Sequence, residues 1–320
     1  MAANGDPEIS EDSASAPAKN VFYIVGPTAS GKSDLAAEVA RRCGAEIISA
    51  DAFQVYRGLS LLTAQPNESI LRQAPHHLIA TLSASEEMSA AKFRALALNA
   101  VAEITQCGKR ALVVGGSGLY IKALTHGLAP LPPIDAGLRA ELNALSLAEL
   151  NERLLAVDSL GAQTIDRKNK RRLVRALEIA TQTNSPASGQ RAQWNENPSA
   201  AHGVFVYRDR EELCARIDRR VEEIFRDGVM AEVAALKNAS ATAAKTIGLT
   251  TIRALLQNEI SEPECIAAIQ QATRRYAKRQ LTWFRRQSIF EPLNLSRLKD
   301  HAAAVDWILQ KAERFFAPAE

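Results

Sequence analysis

Short apolar runs alternate along the chain with longer stretches in which apolar residues recur every three or four positions. Val21-Phe22-Tyr23-Ile24-Val25 lies between Lys19-Asn20 and Gly26-Pro27 and reads as a buried strand. A helix pattern follows, with Leu35, Val39 and interleaved alanines. Glu46-Ile47-Ile48-Ser49 is a second strand, with Asp51 just past its end, and His77-Leu78-Ile79 is a candidate third. Residues 89–106 have helical periodicity through Phe93, Leu96, Val101 and Ile104, closed by Gly108. Ala111-Leu112-Val113-Val114 is a fourth strand and runs into Gly115-Gly116-Ser117-Gly118. This alternation predicts an α/β fold with a parallel sheet covered by helices on both faces.

The next clear strand is Val204-Phe205-Val206-Tyr207. The stretch before it is helical in pattern and punctuated by Pro130, Pro132-Pro133 and Pro186. One helix suffices for an ordinary crossover, so residues 131–200 are expected to form an inserted all-helical lobe. The expected organisation is a disordered tail over 1–20, a core domain over 21–130 and 201–320, and the lobe between. After Tyr207 the pattern is helical to about Gln287. Residues 300–316 form a last amphipathic helix through Val305, Ile308, Leu309, Ala312 and Phe315. There are no internal repeats.

Composition adds bounds. Of 320 residues, 47% are apolar and 23% charged, which excludes wholesale disorder. No apolar run approaches the roughly 18–20 residues of a membrane span. The formal charge is +3, but Asp6, Glu8, Glu11 and Asp12 face only Lys19 in the first 20 residues. The rest of the chain is therefore more basic than the total suggests, and an anionic partner is expected. The acidic opening segment has no apolar stretch of the secretory kind and is unlike a mitochondrial leader. Cys43, Cys107, Cys214 and Cys265 lie far apart without metal-finger spacing, so reduced thiols and a cytoplasmic location are expected.

The chemistry starts at Gly26-Pro27-Thr28-Ala29-Ser30-Gly31-Lys32-Ser33, a match to G-x-x-x-x-G-K-[ST] with a strand before it and a helix after. Such a loop turns backbone N–H groups toward phosphate at a helix start. Lys32 supplies a mobile cation, and the Ser33 hydroxyl is a candidate Mg²⁺ ligand. The fold class is therefore a P-loop NTPase-like parallel sheet flanked by helices, with an inserted all-helical lobe. Nucleotide hydrolysis or phosphoryl transfer commonly uses an acidic Mg²⁺ ligand at the end of a neighbouring strand. Here the strand at 111–114 ends in Gly-Gly-Ser, and the nearby acid is Asp51. The loop is read as a holder of diphosphate, with the carboxylate serving another role.

A helical wheel over 264–287 puts Arg274, Arg275, Lys278, Arg279, Arg285 and Arg286 within an arc of about 140°. Ile266, Ile269, Ala272, Tyr276, Ala277, Trp283 and Phe284 take the remainder; Gln280 is polar on that apolar side and suits a satisfied core glutamine as well as a pocket contact. The run 273–286 has no acidic residue, so the stripe is expected to be un-neutralised. A solvated face is the ordinary reading of such a stripe. A second cluster at Arg167, Lys168, Lys170, Arg171, Arg172 and Arg175 favours RNA phosphates instead.

Taken in order, several segments resemble the tRNA dimethylallyltransferase (IPP transferase) family, over about 85% of the chain. They are GPTASGKS at 26–33, DAFQVYRG at 51–58 with Thr63-Ala64 and Pro66, PHHLI at 75–79, and GGSGLYIKAL at 115–124. RRLVRALEI at 171–179, Ile247-Gly248 and TRRYAKRQLTWFR at 273–285 complete them. Departures from the family pattern are Ala52 for Ser, Leu62 and Gln65 for Gly and Lys, Ala80 for Asp and Ser117 for Thr. Asp166-Arg167-Lys168-Asn169 stands for HPND, and Leu249-Thr250 for a Tyr-Lys or Tyr-Arg pair.

The resemblance implies transfer of a dimethylallyl group from dimethylallyl diphosphate to N6 of adenosine at position 37 of tRNAs reading codons that begin with U. The partners it implies are the tRNA anticodon stem-loop and dimethylallyl diphosphate, with Mg²⁺, in a monomer. It implies catalytic roles for Lys32, Asp51 as proton acceptor, Ser117 near the breaking bond and Arg216 on the diphosphate. It places RNA contacts at Asp51, Ala52, Phe53, Gln54, Ser117, Arg139, Arg171, Arg172, Leu173, Val174 and Arg175. A further set is Lys278, Arg279, Gln280, Leu281, Thr282, Trp283, Phe284 and Arg285. The target base must leave its stack to reach such a site. Two readings compete with this one: a P-loop kinase of small molecules or nucleosides, with Asp51 as base and the insertion as lid, and a non-catalytic RNA-binding protein. Trp194, Trp307, Phe315 and Phe316 are read as packing residues, and His76 and His77 are given no metal.

Overall fold

The computed structural model describes residues 20–128, 131–192 and 201–317. The expected tail, apart from Asn20, and Trp194 lie outside the described residues.

The core is a six-stranded parallel sheet. Val21–Val25 (β1) is buried at every position, and the left-handed loop after it leads into Lys32–Cys43 (α1). Gly44, at φ 67°, ends α1 and turns the chain into Ala45–Ala50 (β2). Glu68–Leu71 (α2) and the two-residue strand His76–His77 (β3) follow. The third strand is shorter than the expected 77–79, because Leu78 and Ala80 adopt φ of 62° and 49° and take the chain out of the sheet. Ala90–Gln106 (α3) starts on Ser89, whose hydroxyl accepts from Lys92 N. Arg110–Gly115 (β4) and Gly118–Thr125 (α4) complete this half.

The inserted span, His126–Ser199, forms its own compact unit. Its helices are Ala136–Ala144 (α5), Leu147–Val157 (α6), Ser159–Thr164 (α7), Lys170–Thr183 (α8) and Ala187–Ala192 (α9). A reciprocal cap between Ser146 and Glu149 opens α6. Leu142, Leu150, Leu154, Leu173, Val174 and Leu177 pack as a separate apolar core.

The chain returns to the sheet at His202–Tyr207 (β5). Arg210–Arg226 (α10), Val229–Ala235 (α11), Leu249–Leu256 (α12) and Glu262–Phe284 (α13) follow. At the start of α13 the Glu264 carboxylate takes the Ser261 N–H at 2.9 Å. Phe290–Asn294 (β6) and His301–Phe316 (α14) end the described chain. The edge strand β6 was not expected. Its sequence FEPLN carries Pro292, which only an edge position tolerates because no ladder N–H is demanded there.

The strand order is β3-β2-β4-β1-β5-β6, all parallel. Side chains alternate between the faces. Phe22 and Ile24 join Leu35, Val39, Val305 and Ile308 on one side, while Tyr23 and Val25 join Phe93, Ile104 and Ile121 on the other. Phe315 and Phe316 pack their rings on Phe22 at 5.9 and 6.5 Å. From β1 the chain first moves to β2 and later to β5, so the carboxyl ends of β1 and β4 flank the switch point where open α/β sheets form their crevice.

Candidate functional site

That crevice holds the P-loop. Gly31 sits at φ 90°, a conformation that suits glycine, and Ala29 is held at φ 63°, which strains an L-residue. Gly26 tolerates no side chain, since a Cβ there would meet the Val206 carbonyl oxygen at 2.2 Å. The Ser30 hydroxyl is buried without a partner inside the loop.

Lys32 is 9% exposed, and its Nζ donates to Pro27 O at 3.3 Å. Burial pushes its pKa down to about 8; Asp51 pulls it back up and Arg220 adds to the lowering. Lys32, Ser33, Ser49, Asp51, Gln54 and His76 line one small cavity. A second cavity has Asp51, Thr28, Arg220 and Tyr276 at its polar part and Leu61, Leu62, Val221, Ile224, Ile247 and Ile269 as apolar wall. Thr63, Thr246 and Thr273 also line this second cavity, so Asp51 borders both a phosphate-loop cavity and one of mixed polar and aliphatic lining.

The loop after β2 is fixed around this carboxylate. Asp51 Oδ1 accepts from Phe53 N at 3.0 Å and Gln54 N at 3.4 Å. Ser117 Oγ accepts from Ala52 N at 2.9 Å, while Ser117 N donates to Ala50 O at 3.2 Å. The structure therefore brings Lys32, Ser33, Asp51, Ala52, Gln54 and Ser117 together. Gln65 donates to the Gln54 and Tyr56 carbonyls at 2.9 and 2.8 Å and holds the same loop.

Three arginines grip the P-loop, Arg208 from just past β5 and Arg216 and Arg220 from α10. Arg208 Nε donates to Ser30 O at 2.8 Å, Arg216 Nε to Ala29 O at 2.8 Å, and Arg220 Nη2 to Thr28 Oγ1 at 3.0 Å. Arg216 stands beside the loop as expected. Arg208 and Arg220 were missed, although Arg220 is one helical turn beyond Arg216 and so shares its face. Burial is the main influence lowering the guanidinium pKa of Arg216 and Arg220. Such gathered, desolvated positive charge is preorganised for an anion.

The structure places several residues expected as RNA contacts in packed or ion-paired positions. Arg139 is ion-paired to the fully buried Glu178, and Arg175 pairs with the same carboxylate while donating to Pro132 O at 2.9 Å. These two cations hold the lobe together. Leu173 and Val174 are buried in the lobe core and offer no side chain to RNA. Arg171 and Arg172, on the same helix, are exposed. On α13, Phe284 is buried against Phe205 with ring centroids 5.5 Å apart, and Gln280 is 5% exposed. Arg274 is not a free member of the stripe, because Asp218 of α10 pairs with it across the helix interface. The neutralising carboxylate comes from another element, outside residues 273–286.

What remains exposed on α13 and just past its end is Arg275, Lys278, Arg279, Thr282, Arg285 and Arg286. Lys278, Arg279, Thr282 and Arg286 border an open groove with the half-buried Trp283; Leu281 is half-buried and packs toward the core. The Arg279 guanidinium lies 5.6 Å from the Tyr276 ring centre and that of Arg285 5.9 Å from Tyr207. Cations beside an aromatic ring suit both the phosphates and the bases of a nucleic acid.

A P-loop α/β fold with a carboxylate in the loop's own cavity and a cationic aromatic groove on a neighbouring helix defines the chain as a phosphate-handling protein of nucleic-acid type. The chain belongs to the IPP transferase family, whose model matches residues 54–287. It is 39% identical over 290 residues to a tRNA dimethylallyltransferase of Akkermansia muciniphila, covering 91% of this chain and 98% of that one. It is 42% identical over 274 residues to tRNA dimethylallyltransferase 1 of Citrifermentans bemidjiense, covering 84% and 90%. Among solved structures, the tRNA isopentenylpyrophosphate transferase of Staphylococcus epidermidis superposes with a TM-score of 0.67 at 30% identity, covering 92% of this chain and 98% of that one. A eukaryotic dimethylallyltransferase at 23% identity gives a TM-score of 0.78 over 91% of this chain and 77% of its own, a likeness of fold.

Proposed function

We propose that the protein transfers the dimethylallyl group of dimethylallyl diphosphate to N6 of adenosine at position 37 of tRNAs reading codons that begin with U. The observation that carries this reading is the position of Asp51 between the P-loop cavity and a second cavity with a partly aliphatic wall. An allylic diphosphate has an anionic head and an apolar tail, and the base that accepts the amine proton must sit where the two meet. A kinase would need the carboxylate but not the apolar wall.

In this reading N6 attacks the allylic carbon as its bond to the diphosphate oxygen breaks, and Asp51 takes the N6 proton. Lys32, Arg216 and Arg220 stabilise the leaving diphosphate. Ser117 holds the turn against Ala52 and so keeps Asp51 in place. The Ser33 hydroxyl at the start of α1 would hold Mg²⁺ beside the bound diphosphate. Mg²⁺ supplies Lewis-acid neutralisation of the diphosphate. The protein is proposed to act as a monomer. No helix among the described residues is long and apolar enough to cross a membrane.

Unmodified tRNA incubated with dimethylallyl diphosphate and Mg²⁺ is expected to yield N6-(dimethylallyl)adenosine by nucleoside mass spectrometry. No product, together with clear ATP turnover, would transfer the reading to the kinase.

The groove on α13 gives a second expectation. Replacing Lys278, Arg279 and Arg286 together by Gln leaves the buried face intact. Anticodon stem-loop affinity should weaken, and the slope of log affinity against log salt should shrink by roughly 0.7–0.9 per lost phosphate contact. Affinity for dimethylallyl diphosphate should hold. A folded variant with the parent salt slope would make this stripe a solvated face only.

A further inference from the structure

The inner face of α13 does something that its cationic outer face does not explain. The Gln280 side chain is buried and bridges two loops. Its Oε1 accepts from Thr28 N of the P-loop at 2.9 Å, and its Nε2 donates to Gly116 O of the Gly-Gly-Ser turn at 2.8 Å. One amide thus uses its acceptor on one loop and a donor on the other. Tyr276, one helical turn earlier, lies beside Ser117 and Gln280. Ser117 in turn receives the Ala52 N–H next to Asp51.

The glycines of the turn answer to this helix. A Cβ on Gly116 would lie 2.4 Å from Gln280 Nε2, and one on Gly118 would lie 2.6 Å from the Trp283 ring. The turn is bare so that Gln280 and Trp283 can seat on it. A chain of contacts therefore runs from Thr28 through Gln280 to Gly116, Ser117 and the backbone beside Asp51.

We propose that Gln280 is a positioning residue for the transfer, holding the P-loop and the Gly-Gly-Ser turn in register from the inner face of the cationic helix. This rests on the transferase reading above and assigns Gln280 no contact with RNA. The leaving diphosphate and the proton acceptor sit on different loops. Their relative placement needs a tie, and a displacement of about 1 Å at such a site costs on the order of 10²-fold in rate.

Gln280→Leu removes both hydrogen bonds at similar volume. Gln280→Glu keeps the acceptor for Thr28 N–H and loses the donor to Gly116 O. The experiment measures single-turnover transfer at saturating tRNA and dimethylallyl diphosphate, stem-loop affinity by anisotropy, and thermal melts. Gln280→Leu is expected to lose on the order of 10–10²-fold in the saturated rate. Gln280→Glu should lose less, and both should bind the stem-loop within about twofold of the parent, because the outer cations are untouched. A tenfold loss of stem-loop affinity with an unchanged saturated rate would make Gln280 an RNA contact and overturn the inference. If Gln280→Leu fails to fold, Gln280→Glu decides alone: a folded Glu variant with the parent rate overturns the inference. A parent protein that makes no product overturns the transferase reading and this inference with it. A transferring parent matched by folded variants of equal rate overturns this inference alone.

Discussion

Lys32→Ala is expected to reduce single-turnover transfer by 10²–10³, the usual loss when one preorganised charge-stabilising group is removed. The reason lies in where the ammonium sits. It is almost completely desolvated, with Asp51 as its counter-charge and Arg220 as a like charge nearby. An incoming diphosphate meets a cation already stripped of water, so the interaction is strong and costs little reorganisation. Loss within about threefold of the parent would remove Lys32 from the leaving-group site. A second variant separates chemistry from folding. The folded-state pKa of Lys32 is depressed to about 8 from 10.5, so the charged form is disfavoured by folding. That cost is fully present below pH 8 and is relieved as pH rises from about 8 toward 10.5, where the unfolded chain holds the extra proton. Near neutral pH, Lys32→Met should therefore leave the ligand-free protein at least as stable, by up to about 3 kcal/mol, while transfer collapses.

Asp51→Asn is expected to bind both substrates and lose on the order of 10²–10⁴ in transfer, as for a removed general base. The amide oxygen of Asn can still accept from Phe53 N and Gln54 N, so the loop should keep its shape. What it cannot do is take the N6 proton. The measurement is the saturated single-turnover rate beside stem-loop and diphosphate affinities. An unchanged rate would leave Asp51 as the residue that caps the loop after β2 and nothing more.

The sheet was largely legible from sequence because its strands are short, continuous apolar runs separated by amphipathic helices. β1, β2, β4 and β5 appear in the sequence pattern within a residue or two. β6 did not, since Phe290 and Leu293 alone face the core and Pro292 argues against a strand unless the strand is at an edge. The P-loop and Asp51 were legible because their chemistry needs fixed residue types at fixed spacing. Arg220 was not, because an arginine on a charged helix looks like its exposed neighbours until its partners are known. The same blindness affected the cationic segments. Glu178 and Asp218 neutralise Arg139, Arg175 and Arg274 from outside the basic runs. Motif membership also blurred contact with support. Leu173, Val174 and Phe284 sit inside basic motifs yet belong to cores, and Gln280 turned inward to tie two loops together.

The seating of Gln280 on Gly116 also constrains how this chain can diverge. The two positions are 164 residues apart, yet neither can change size alone. A methyl group at position 116 strikes the glutamine amide and also lies 2.8 Å from Gly26 O, so shrinking residue 280 relieves only one of the two collisions. Mutational drift at the turn is thus closed off by two separate parts of the sequence. Position 280 retains a narrow freedom, but any replacement must satisfy a donor on the P-loop and an acceptor on the turn, and among the common side chains only a carboxamide of this length offers both. The outer face of the same helix carries no such lock. Its exposed lysines and arginines can be exchanged and redistributed without touching Gly116 or Thr28. One helix therefore joins a face open to sequence change to a face that is closed to it.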